Sequence, residues 1–237
     1  MSRAAAEASA RAVRPRSFVL AVDEGGQHHV AFGDELVIGH ARSARADLPF
    51  LADVAAEHAR LVRTATLRGG PGLRVVPAPG EPVLLGDRPV AAEGALLRPG
   101  ERLTLAANLD LRLHAPDPAS ASLVLECLAG TECLGARRVI LLAPGAGGRV
   151  RIGAGAQCHV RVARLGADVA LELGPGGGSL VISSDAGVAT HGAQRAPRAT
   201  LPCPPRVRVD VVVGERAPDE PPFALAFLPI ELFEDAP

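Results

Sequence analysis

The residues whose type and spacing could do chemistry are chiefly arginines. Arg42 and Arg45 stand in the stretch "GHARSARAD" with Ser43 between them, and Arg88 follows the turn "LLGD". A planar guanidinium offers paired N–H donors to an oxyanion, and a nearby hydroxyl satisfies one more oxygen. The stretch therefore has the composition of an anion-reading loop, although arginines on loop tips also serve simply to solvate a surface. Cys127, Cys133 and the pair Cys158-His159 are soft-ligand types. No C-x-x-C pair occurs, however, and free cysteine ordinarily packs as a small apolar side chain, so no metal site is expected. "GPGGGS" at 174–179 has backbone N–H groups that can cradle an anion, but a glycine-rich bend between strands needs the same residues and is the expectation. His28-His29 are expected to be exposed beside the "DEGGQ" turn, and His159 and His191 lack partners at metal-ligand spacing. No G-x-S-x-G, H-E-x-x-H or G-x-G-x-x-G pattern is completed, so neither catalysis nor a cofactor is expected.

Composition removes further classes. All 25 basic residues are Arg, which excludes a P-loop and Schiff-base chemistry, because both require a Lys amine. Neither Trp nor Tyr occurs, Phe numbers 6 and the formal net charge is -1, so the stacking-plus-basic-groove footprint of nucleic-acid binding is missing. Arg, Asp or Gly interrupts every apolar run before it reaches the roughly 18 residues a membrane helix needs, so no membrane partner is expected. Residues 1–16 carry four Arg against one Glu and read as a disordered basic tail rather than a secretory signal. Four cysteines are too sparse for a disulfide scaffold, and a cytoplasmic location fits best. The Ala, Arg, Gly and Pro bias suggests a GC-rich bacterial genome.

The elements that must position these residues are short runs of Val, Leu and Ile separated by Gly, Pro and Asp, the pattern of an antiparallel sandwich. In "RVRVDVVV" at 206–213, valines alternate with Arg206, Arg208 and Asp210, as in a half-buried strand. "SLVLECL" and "RRVILLA" open a second series of such runs. "APDPAS" interrupts the series with two prolines. The expected fold class is all-β, two tandem antiparallel β-sandwiches: 17–116, a linker at 117–121, and 122–233. "LVIGHARSARADLPF" and "VRIGAGAQCHVRV" share a strand ending in Ile-Gly before a short loop and another strand, and Ile152 follows Ile38 by 114 residues, which points to an internal repeat.

The first half resembles the forkhead-associated (FHA) family. "ELVIGH" stands at that family's Gly-Arg step with Gly39 kept and His40 for Arg. "ADVAAEHARLVR" stands at its Ser-x-x-His step with Ala55 for Ser and His58 kept. "PVLLGDRPV" stands at its Asn-Gly step with Leu85 before Gly86, and "LLRPGERLTL" matches its Leu-x-x-Gly-Asp turn. The second half resembles the family only through "VRIG" and its strand rhythm, with Ala154 after Gly153.

The resemblance implies loops at one end of a sandwich that hold a phosphothreonine peptide. The candidate peptide-binding residues are then His40, Arg42, Ser43, Arg45, Ala55, His58, Leu85, Gly86 and Arg88. Three family side chains are replaced, and each lost hydrogen bond to a charged group costs about 1.5–3 kcal/mol, so phosphate recognition is expected to be lost or weakened. The expected partner is another protein or peptide, bound in a signalling or assembly role. The alternative is a phosphothreonine reader with a pocket rebuilt from Arg42, Arg45 and Arg88. His58 is expected to brace the loop.

Overall fold

The computed structural model describes residues 16–65, 70–128, 130–145, 147–190, 193–214 and 223–230; the expected tail falls almost wholly outside them. The N-terminal strands are β1 (Ser17–Val22), β2 (Gly26–Phe32), β3 (Glu35–His40), β4 (Leu48–Phe50), β5 (Ala59–Ala65), β6 (Pro71–Pro77) and β7 (Leu84–Leu85). Next come β8 (Arg88–Pro89), β9 (Ala95–Leu97), β10 (Arg102–Ala106), β11 (Leu109–His114), β12 (Leu123–Cys127), β13 (Arg138–Leu142) and β14 (Arg149–Gly153). The series ends with β15 (Val160–Arg161), β16 (Val169–Leu173), β17 (Ser179–Thr190), β18 (Ala196–Pro202), β19 (Val209–Val213) and β20 (Phe223–Pro229). One 3-10 turn, Pro175–Gly177, is the only helical element among the described residues, so the all-β expectation holds.

One sheet runs β4-β3-β5-β6-β9, and a larger one runs β15-β14-β16-β17-β19-β20-β1-β2-β13-β12-β11-β10-β7-β8. Both are mixed: β3–β4, β14–β15 and β2–β13 pair in parallel. The order of the larger sheet shows an exchange. The hairpin β1–β2, first in the chain, pairs through β1 with β20 at the far end, while β12–β13 pairs through β12 with β11. Each closing strand thus takes its neighbour from the other half of the sequence.

The cores follow the same exchange. The first contains Leu36, Ile38, Leu48, Phe50, Leu61 and Leu73 together with Leu123, Leu125, Val139 and Leu141. The second contains Val150, Ile152, Val169, Leu171 and Leu225 together with Phe18, Leu20 and Val22. In β12 and β13 adjacent residues serve different cores, Leu123 and Leu125 one, Val124 the other, because successive side chains leave a strand on opposite faces. This strand pair therefore lies between two cores. A strand buried on both faces needs apolar residues at consecutive positions, which explains Leu123-Val124-Leu125 and Val139-Ile140-Leu141-Leu142.

The expected boundaries at 17–116 and 122–233 consequently separate the halves in sequence but not the cores in space. Residues 117–121 are also no loose linker. Asp117 and Ser120 are buried; the Asp117 carboxylate accepts from the Ala119 N–H at 2.9 Å, and Ser120 Oγ donates to the Arg149 carbonyl and accepts from the Ser122 N–H at 3.0 Å. A polar group shut away from water has to be bonded, and here the bonds fasten the connection to the second sandwich.

The internal repeat has matching registers. Ile38 pairs with Leu48 as Ile152 pairs with Val160, and β3 and β14 each take an antiparallel partner on the other side, β5 and β16. Two strand expectations need correction. Regular pairing in "RVRVDVVV" starts only at Val209, leaving Val207 67% exposed after Pro204-Pro205, which carry no ladder donor. The segment 196–202 forms β18, which two prolines hid; it pairs only with β17, and proline is tolerated at such an edge.

Candidate functional site

The β3–β4 loop at 41–47 carries the family-like Arg and Ser types, and its donors and acceptors are largely spent on itself. His40 Nδ1 accepts from the Arg42 N–H at 3.1 Å, and the His40 carbonyl accepts from the Ser43 N–H at 2.9 Å. Ser43 Oγ accepts from the Arg45 N–H at 3.3 Å, and the Ser43 carbonyl takes the Ala46 N–H. Arg45 pairs with Glu57 at 3.0 Å, and the Arg42 side chain is exposed. Gly39 is required here because a Cβ would run into the Ala56 carbonyl oxygen, where the following loop lies flat against β3.

His58 braces the neighbouring loops from a buried position. Its Nδ1 accepts from the Ala55 N–H at 3.3 Å, its Nε2 donates to the Pro82 carbonyl at 3.1 Å, and its own N–H bonds to the Ile38 carbonyl. Ala55 is tied in as well, its carbonyl accepting from the His40 N–H at 2.9 Å. Leu85 must be removed from the candidate surface: it is 9% exposed and packs into the first core, because β7 pairs it with Leu103 and turns it inward. Gly86 sits at φ +59 in the exposed β7–β8 turn, and Arg88 lies exposed just past it. The three arginines are not gathered in one pocket: Arg45 lines a large cleft, and neither Arg42 nor Arg88 does.

That cleft, about 1100 Å³, opens between the sandwiches. Arg16, Glu35, Val37, Arg45 and Asp47 form one wall; Glu172, the glycine turn 174–178 and Cys203 form the other. "GPGGGS" is thus the expected bend, placed as a cleft wall. Asp47 holds the wall in shape by accepting from the Val37 N–H at 2.9 Å, and burial pushes its carboxyl above the usual carboxylate range. His159 does the same in the second repeat, Nδ1 accepting from the Arg151 N–H at 3.1 Å. Asp47-Leu48 and His159-Val160 occupy matching places before the parallel strand, a signal present in the sequence but visible only once the repeats are aligned.

His28 and His29 are not exposed. They are 3% and 0% accessible, because β2 lies between β1 and β13 inside the large sheet. Desolvation lowers both imidazoles to about 4. His28 Nε2 donates to the Gly25 carbonyl and His29 Nε2 to the Asp47 carbonyl, fixing the start of β4. Burial pushes the Cys127 thiol up to about 11 and Cys203 to about 12, so neither is an activated nucleophile. Among the described residues, no group of three or more His, Cys, Asp and Glu side chains could hold a metal ion. No helix is long and apolar enough to cross a membrane among the described residues.

No family model and no curated protein matches the chain. Among solved structures, the Slr1951 protein from Synechocystis sp. is 18% identical over 40% of this chain and 93% of its own, with a TM-score of 0.30. A likeness that slight carries no argument about fold or function.

Proposed function

We propose that the chain is a non-catalytic protein-interaction module of FHA type, an adaptor that selects its partner by shape rather than through a phosphate. The observation that carries this reading is the use of the β3–β4 loop donors. The Ser43 and Arg45 N–H groups bond to His40 and Ser43, and the Arg45 guanidinium pairs with Glu57 at 3.0 Å. A dianionic phosphate needs such donors free and convergent. The partner site in this reading is the cleft of about 1100 Å³, where an extended segment of another protein lies between the 41–47 loop and the glycine turn.

The alternative phosphothreonine reader needs Arg45 to leave Glu57 and Arg88 to join Arg42. Matched libraries of threonine and phosphothreonine peptides, scored by fluorescence anisotropy, separate the two. Affinities equal within about threefold for each matched pair support the proposal. A preference of tenfold or more for the phosphorylated member, abolished by Arg42→Ala or Arg45→Ala, overturns it.

A further inference from the structure

A different group of arginines is left without counter-charges. Arg138, at the start of β13, lines a cavity of about 390 Å³ with His114, Glu126, Cys158 and Arg161. Its Nε is buried with no hydrogen-bond partner among the described residues. In the sheet Arg138 stands opposite Glu126, but the Glu126 carboxylate has turned to His114 Nε2 at 2.8 Å. Among the described residues Arg161 reaches only the Ala156 carbonyl, at 3.4 Å. On the other side of Arg138 the β2–β13 register brings up His28, which burial, helped by the Arg138 charge, holds neutral at about 4. Neither guanidinium has an ion-pair partner among the described residues, and exposed Arg112, across the ladder from Glu126, adds positive potential.

A partly buried guanidinium without a carboxylate, as at Arg138, is an unmet electrostatic demand, and with exposed Arg161 on the rim of the same small cavity it forms a fork for an oxyanion. We propose that this cavity binds a small oxyanion, a phosphate or carboxylate group of a ligand, between Arg138 and Arg161. His114 engages the Glu126 carboxylate, which lines the same cavity, so that it bonds neither guanidinium. The inference is independent of the interaction reading above, since it involves neither the 41–47 loop nor the large cleft.

Titration of the full chain with inorganic phosphate and, separately, with acetate tests it, read by isothermal calorimetry at constant ionic strength and by thermal shift. Saturable binding of either anion is expected, with the stronger one identifying a tetrahedral or a planar group. Arg138→Gln and Arg161→Gln are each expected to weaken it about tenfold or more, while Arg42→Gln leaves it within twofold. Arg161 is exposed, so its substitution leaves the fold intact and reports on binding alone. Absence of a saturable response to both anions, or an affinity unchanged by Arg161→Gln, overturns the proposal.

Discussion

Cutting the chain between Pro116 and Asp117 puts the strand exchange to its sharpest test. Fragment 1–116 would hold every strand of the first sandwich except β12 and β13. Without them it exposes the layer that Leu123, Leu125, Cys127, Val139 and Leu141 cover, side chains no more than 2% accessible in the intact chain. Burial of an apolar side chain of this size contributes about 1.5–3 kcal/mol, so the lost layer amounts to about 7–15 kcal/mol. A whole domain is stable by only about 5–15 kcal/mol, so the fragment is expected not to fold alone. Fragment 117–237 loses Phe18, Leu20 and Val22 from its own core and is expected to fail likewise. Mixed at equal concentration, the two should refold together. Circular dichroism and amide dispersion in two-dimensional NMR read the outcome. A fragment 1–116 that unfolds cooperatively by itself, with dispersed amides, refutes the exchange.

Gly39→Ala is expected to cost about 1–3 kcal/mol in urea unfolding, because the new methyl meets backbone at Ala56; Gly153→Ala should cost less, since its obstacle is the movable Asp168 carboxylate. Leu85→Asn, which supplies the Asn of the FHA pattern, should destabilise by roughly 3 kcal/mol and give no phosphopeptide binding, since it places an amide in the first core. Arg45→Ala should change stability by less than about 1 kcal/mol, its ion pair with Glu57 being solvent-exposed. With His28 and His29 lowered to about 4 in the fold, the unfolded chain binds more protons between pH 6.5 and 4. Stability is therefore full above pH 6.5 and falls as the pH drops through that window, by about 3 kcal/mol per imidazole; a melting temperature flat over the window would contradict their burial. Cys127 and Cys133, buried thiols that desolvation pushes up, should react with a thiol reagent at pH 8 only after denaturant is added.

The sequence by itself determined strand content, the positions of most strands and the internal repeat, because alternation, turn residues and the Ile-Gly steps are local signals. The resemblance to the FHA pattern also pointed to Gly39 and to the bracing role of His58. Neighbouring strands across the halves were decided only by the tertiary structure: β1 beside β20 or β11 satisfies the same local pattern, and nothing in "SFVLAV" states which. That choice buried His28 and His29 inside the sheet, although the flanking "DEGGQ" suggested exposure. Within the first half, pairing of β7 with β10 turned Leu85 into core, and the folded loops separated Arg88 from the arginine that lines the cleft. The tertiary structure also brought Arg138 and Arg161 to one cavity from distant strands. Strand periodicity specifies which face a side chain occupies, but the identity of what that face meets depends on the partner strand, and pairing between distant segments carries no local signature.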